Sequence, residues 1–256
     1  MSLAEDAELA ARLVRDAGTM AARMRDAGLE TATKTSISDV VTAADHAAER
    51  LVVETLAAER PADGVLGEEG ASQPGTSGRT WVIDPVDGTY NFVAGLDWWC
   101  SALALTDGDE LVLGAIHHPA TGHTYVGGPG LPTTVDGAPL PPLEDRPLST
   151  ACLTTYLHPP FYGGEVGAAF ERLVGGAATL RMLGSASMDA VAIATGRLHV
   201  RCQHSLPAWD DLPGAAVILG VGGATTRVGA GGVDWSAAGV PTAVADVERV
   251  LLSRGT

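Results

Sequence analysis

The chain has 256 residues, of which 46% are hydrophobic and 18% charged, and a formal net charge of −15. That length bounds it to one large domain or two small ones fused into one body, the composition excludes a disordered chain, and no apolar run reaches the length needed to cross a bilayer. Its 31 acidic residues outnumber 16 basic ones, among which Lys34 is the only lysine, so the surface repels a phosphate backbone and nucleic acid is not an expected partner.

Apolar residues at Leu3, Ala7, Ala10, Val14, Ala17, Met20 and Met24 recur at three-to-four spacing and predict an amphipathic helix over 3–26. A second helix is expected from Thr42 to about Arg60, with Leu51, Val52 and Leu56 inward and Pro61 and Gly64 closing it. Short strands follow at Val65–Leu66, ending at Gly67, and at Trp81–Ile83, ending at Asp84-Pro85. Residues 101–106 and 111–117 read as a hairpin turned by Asp107-Gly108-Asp109, extended by 123–126. Gly127 to Pro147 reads as a surface hairpin and connector. The second half predicts a strand at Thr150–Leu157 and helices at Glu165–Val174 and Ala186–Ala194. It then predicts a strand at Leu198–Cys202, a helix after Asp210, and a strand at Pro241–Ala245 before a last helix. The expected class is mixed α/β: an α+β half over 1–147 and an α/β half over 148–256, packed as one body. Cys100, Cys152 and Cys202 are far apart and odd in number, which fits a reducing cytoplasm, and no charged-then-apolar leader opens the chain.

The segment from Trp81 to Phe92 carries the most chemistry. An apolar strand delivers Asp84, Pro85 turns the chain, Asp87 follows, and Gly88-Thr89 opens a helix. Two carboxylates beside a helix N-terminus can hold a divalent cation while backbone N–H groups receive an anion. A turn with an Asp cap is the plainer alternative. Glu68, after the Val65–Leu66 strand, and Asp210, in Trp209-Asp210-Asp211, add two more acidic positions. Gathering these carboxylates raises their pKa values unless cations neutralise them.

These residues resemble the inositol monophosphatase-like, magnesium-dependent phosphatases. The likeness rests on Gly67-Glu68-Glu69, Trp81 to Phe92, Gly184-Ser185-Ala186-Ser187, and Trp209-Asp210 with Gly222-Gly223, in matching order along nearly the whole chain. It implies the layered αβαβα sandwich shared with fructose-1,6-bisphosphatase. It also implies two or three magnesium ions, one held by Glu68, Asp84 and the Val86 carbonyl and another by Asp84, Asp87 and Asp210. Asp45, Thr89 and Glu68 are the implied catalytic residues, Asp45 pairing with Thr89 to orient and deprotonate the attacking water. From Thr42 and Asp45 alone the reading is a capping box, with Asp a looser match than Glu, and the two roles are compatible. The phosphate would accept N–H bonds from Gly88 and Thr89. Asp87, Ser185, Ala186, Gln203 and Asp210 complete the implied substrate contacts.

Four departures bear on substrate. Gln203 stands where a glutamate often grips a substrate hydroxyl, and Asp211-Leu212-Pro213 replaces small or apolar residues. Gly220-Val221-Gly222-Gly223 lacks an acidic residue, and Tyr90 follows Thr89. The expected activity is magnesium-dependent hydrolysis of a small phosphate monoester, with inositol monophosphate leading. Histidinol phosphate, fructose 1,6-bisphosphate and phosphoadenosine substrates are alternatives, as is a catalytically weak metal-binding regulator. A homodimer with a small phosphorylated substrate is expected, with neither nucleic acid nor membrane as partner. His117, His118 and His123 fall on a hairpin without zinc spacing. Trp98 and Trp99 read as core or interface, and Gly127–Gly130 and Gly229–Gly232 read as loops.

Overall fold

The N-terminal apolar stripe folds into helix α1 (Leu3–Ala27), opened by a capping box between Ser2 and Glu5. An antiparallel ribbon of β1 (Thr31–Thr33) and β2 (Val40–Thr42) leads into α2 (Ala43–Glu59). The computed structural model describes residues 2–28, 31–33 and 40–253, with backbone alone for 31–33, 40 and 41. Lys34 therefore lies outside the described residues.

Eight strands form the first sheet: β3 (Gly64–Gly67), β4 (Ser72–Gln73), β5 (Arg79–Asp87), then, after a short helix α3 (Thr89–Val93), β6 (Cys100–Asp107), β7 (Glu110–His118), β8 (His123–Gly128), β9 (Leu131–Val135) and β10 (Ala138–Pro139). Their order is β10-β9-β8-β7-β6-β5-β3-β4, antiparallel except where β3 lies parallel to β5. Strand alternation splits its residues between two faces. Trp81, Ile83, Leu103 and Leu105 pack against Leu9 and Leu13 of α1 and Val52 and Leu56 of α2. Ala102 and Ile116, on the other face, meet the helices of the middle layer.

The second sheet takes β11 (Cys152–Thr154), β12 (Thr179–Arg181), β13 (Val200–His204), β14 (Ala224–Ala230) and β15 (Val233–Gly239), in the order β12-β11-β13-β15-β14. Its helices are α4 (Gly164–Gly175), α5 (Ala186–Ala194), α6 (Ala208–Leu219) and α7 (Pro241–Leu252). Helices α5 and α6 lie between the sheets: Met188, Val191 and Val217 face the first sheet, while Ala190, Ile193 and Ile218 meet Ala238 of the second. On the far side, Leu173 of α4 and Val247 and Leu251 of α7 cover Leu153, Val200 and Trp235. The five layers are thus α, β, α, β, α, as expected.

Several local expectations are corrected. Pro241–Ala245 is not a strand but the start of α7. Pro241 sits in its first turn, where a missing N–H costs nothing, and Ala243, Val244, Val247 and Leu251 form the buried stripe. The hairpin β14–β15 was not foreseen, because its strands are rich in Ala, Gly and Thr and carry little apolar alternation. Gly231 and Gly232, both at positive φ, are its turn, but Gly229 belongs to β14. Gly127 and Gly128 likewise lie within β8 and not in a loop. The expected strand at 150–157 shrinks to Cys152–Thr154, and α6 begins before Asp210, at Ala208.

Candidate active site

Strand β5 does not end at Pro85. It continues to Asp87 through a register shift, with Asp84 opposite Ala102 and Asp87 opposite Cys100. Three steps along β5 therefore match two along β6, so one extra residue bulges where Pro85 has no N–H to give the ladder. In a regular strand, residues an odd number apart point to opposite faces. The extra residue brings Asp84 and Asp87 to one side. Asp210, in the first turn of α6, joins them, with one carboxylate oxygen from each of the three within 4.8 Å of the others. Glu68 follows β3, its N–H donating to the Ile83 carbonyl at 3.1 Å, and lines the same cleft.

The electrostatics are those of crowded anions. Burial, then the charges of Glu68, Asp87 and Asp210, push the Asp84 carboxyl well above its usual range. Burial and the Asp87 and Glu68 charges do the same to Asp210. Asp87 is raised by burial too, partly offset by the Ser187 N–H that donates to its Oδ2 at 2.5 Å. A pocket of buried oxygen donors that repel one another fits hard divalent cations, which remove the repulsion by binding.

Asp45 lies in the first turn of α2. Thr42 N–H and Oγ both donate to its Oδ2, the former at 2.9 Å, while Thr89 Oγ1 reaches its Oδ1 at 3.3 Å. The capping box and the contact with Thr89 thus coexist, one on each carboxylate oxygen. Burial raises the Asp45 pKa, against the Thr42 hydrogen bond that lowers it. Thr89 Oγ1 also lies 3.0 Å from the Val86 carbonyl, so its single proton has two acceptors. Gly88 stands at φ 95°, and a Cβ there would come within 3.0 Å of the Trp98 carbonyl. Only glycine fits that turn, and the next residue, Thr89, lines the cleft.

The cleft holds about 370 Å³. Ser185 caps α5, accepting from Met188 N–H at 3.2 Å, and Ala186 opens that helix at the cleft wall. Gln203 also lines it, from β13. All the residues expected at the site are therefore brought to one cleft or, for Asp45, directly against it. Sequence reading missed Asp189, which lines the cleft from α5 and accepts from Trp98 Nε1 at 3.2 Å. Its signal was available: it is the lone charge on a helix that is apolar all round. It also missed Tyr156, His158 and Met182, which the second sheet's loops bring to the rim. Trp98 is half-buried against the middle-layer core and its side chain reaches the site through its bond to Asp189, whereas Trp99 is fully buried against Phe92. The three histidines have separate partners: His117 with Thr124, His118 with the Asp97 carbonyl, and His123 with Asp136.

These carboxylates set a pH dependence. Burial above all raises Asp189 from 3.8 to about 7, and Asp84 and Asp210 are raised with it. Over that window the folded chain keeps protons that the unfolded chain has released, so stability falls as pH rises. Without divalent cations the melting temperature should therefore drop from about pH 4 to about pH 7. Magnesium should remove the share owed to Asp84 and Asp210 and leave that of Asp189. Scanning calorimetry across this range tests both, and a metal-free melting temperature that climbed over it would refute the electrostatic reading.

Comparison with known proteins gives the same answer from outside the site. The model of the "Inositol monophosphatase family" matches residues 2–252. The inositol-1-monophosphatase of Rhizobium meliloti is 34% identical over 200 residues, spanning 76% of this chain and 74% of that one. Among solved structures, the extragenic suppressor protein SuhB of Bartonella henselae superposes with a TM-score of 0.86 at 23% identity, covering 96% of this chain and 98% of its own. The staphylococcal SaIMPase-II with 2'AMP bound gives a TM-score of 0.82 at 23% identity, over 98% and 94% of the two chains. With a family match along almost its entire length and a relative this similar, the chain belongs to the inositol monophosphatase family and is a phosphoric monoester hydrolase.

Proposed function

We propose that the chain hydrolyses a small phosphate monoester in a magnesium-dependent reaction, with inositol monophosphate as the lead substrate. The observation that carries this is the Asp45–Thr89 contact directly beside the floor of Asp84, Asp87 and Asp210. Glu68, Asp84 and the Val86 carbonyl would hold one ion, and Asp84, Asp87 and Asp210 another, with room for a third left open. When bound, the ions neutralise these carboxylates and supply positive charge to the phosphoryl group. Thr89 passes its hydroxyl proton to Asp45 Oδ1 and takes one from the attacking water, which adds in line to phosphorus. The Gly88 and Thr89 N–H groups receive the phosphate oxygens. The ester P–O bond breaks, the departing alkoxide takes a proton from a solvent water, and no phosphoenzyme forms. Ser185, Ala186 and Gln203 contact the alcohol. On this reading residues 1–147 carry most of the ligands and 148–256 complete the site, in a cytoplasmic homodimer. Among the described residues no helix is long and apolar enough to cross a membrane.

A second substrate reading has its own support. Tyr90, Tyr156, His158 and Met182 line the outer cleft, with Tyr90 54% and Met182 43% exposed. Aromatic and thioether surface suits a flat base, and the related SaIMPase-II is described with 2'AMP bound. Phosphate release from a panel containing inositol monophosphate, nucleoside 2'-monophosphates, histidinol phosphate and fructose 1,6-bisphosphate, with and without magnesium, separates these. Release from none of them in magnesium would defeat the proposal.

Gln203 gives a finer test. Gln203→Glu should lower KM for inositol monophosphate by several-fold with little change in kcat. A charge-assisted hydrogen bond exceeds a neutral one by about 1 kcal/mol, and the contact lies away from the breaking bond. The same change should repel a bisphosphate. Unaltered kinetics on every substrate would remove position 203 from the substrate contacts.

A further inference from the structure

We propose that Asp211 is a positioning residue for Asp210, gripped by Arg201, Ser236 and Arg227 so that the first turn of α6 presents Asp210 to Asp84 and Asp87. The inference rests on the reading above, in which Asp210 holds a divalent cation.

The first turn of α6 has its opening backbone bond, from the Asp211 N–H to the Pro207 carbonyl at 3.1 Å, but lacks two other ties. Its N-cap, Pro207, offers no side-chain cap. Pro213, inside the helix, has no N–H, so the Trp209 carbonyl lacks its usual partner four residues on. Asp210 lies in this turn and carries a carboxylate that the neighbouring anions repel.

The second sheet supplies the missing hold. Arg201 Nη2, from β13, donates to the Asp211 backbone carbonyl at 2.8 Å and to its Oδ1 at 2.5 Å. Ser236 Oγ, from β15, lies 2.9 Å from both carboxylate oxygens, and Arg227 Nη2, from β14, reaches Oδ2 at 2.6 Å. Three strands thus converge on one side chain. Consecutive helical residues point about 100° apart, so Asp211 faces the sheet while Asp210 faces the cleft. Asp211 is 4% exposed and Arg201 3%. Taking such a pair out of water costs about as much as its attraction returns, so net stability is a weak reason for it. Arg201 even leaves Nε and Nη1 without partners. What the cluster does supply is geometry: it fixes the backbone one residue from a ligand carboxylate.

The test is the magnesium concentration that half-saturates the folded chain, its half-point, read by isothermal titration calorimetry with inorganic phosphate present. It is measured for the wild-type chain, Asp211→Ala and Asp211→Asn. Partners behind a metal ligand are commonly worth roughly ten- to a hundredfold in metal affinity. Asp211→Ala should raise the half-point by about that factor, and Asp211→Asn, which keeps size and an acceptor, by less. Saturating magnesium should restore most of kcat. If the alanine variant does not fold, the asparagine variant is read alone, with any rise above threefold as support. A half-point within twofold of wild type, even with a lower metal-free melting temperature, would leave Asp211 a packing role and overturn the inference. A wild-type chain with no magnesium response would instead strike down the metal reading of Asp210, and this inference with it.

Discussion

Asp84→Asn should eliminate turnover and the magnesium-linked stability together, while making the metal-free protein more stable. Asp84 is 1% exposed and sits between Glu68, Asp87 and Asp210, whose charges all raise its pKa. In the proposed arrangement it is shared by both ions, so its loss damages two ligand sets at once. The expected fall in kcat/KM is roughly 10³-fold or more, about 4 kcal/mol of transition-state stabilisation. The rise in melting temperature with magnesium, which reflects binding to the folded state alone, should largely vanish. Without metal the sign reverses, because an amide removes one buried negative charge from a cluster that repels itself. Two opposite stability changes in one variant distinguish a lost metal site from a misfolded chain. Calorimetry with and without magnesium reads both, and a variant that kept the wild-type magnesium response would remove Asp84 from the ligands.

The layers of the fold were legible because periodicity was strong where elements are long. The stripe from Leu3 to Met24 became α1, and the Ala186–Ala194 helix fell on its expected residues. The second sheet was harder to read. Its strands β14 and β15 carry Thr, Gly and Ala where alternation would need large apolar residues, and their core anchor is Trp235. The Pro241–Ala245 error has a similar origin, since five residues cannot separate a strand from a helix start. Only the apolar positions further on, at Val247 and Leu251, decide it.

The site was legible through its motifs but not through its geometry. Asp84 and Asp87 were read as a strand end and a turn, yet a bulge inside β5 is what places them on one side. That bulge depends on pairing with β6, which the local residues do not encode. The Asp211 cluster illustrates the same limit. From sequence, Asp211 was an unexplained acid after a ligand position. Its partners lie 10, 16 and 25 residues away on three strands, and only the folded sheet brings them together.

Asp45→Asn should separate catalysis from metal binding. Asp45 Oδ1 is the acceptor for Thr89 Oγ1, and it is fully buried, so no bulk water can stand in for it. An amide in its place can still accept from the Thr42 N–H, which preserves the start of α2. With its oxygen held there, it turns its N–H toward Thr89 and offers that hydroxyl neither an acceptor nor a base. Turnover should therefore fall by roughly two to four orders of magnitude, the usual scale for a general base. The magnesium-linked rise in melting temperature should stay close to wild type, since Asp45 is not among the three carboxylates that converge. KM should change little, because the loss lies in proton transfer and not in holding the ester. Thr89→Val, which removes the intermediate hydroxyl, should behave like Asp45→Asn, and combining the two should cost little more than either alone. Additive losses in the double variant would mean that Asp45 and Thr89 act on separate steps. Full activity in Asp45→Asn would leave the capping box as the residue's whole purpose.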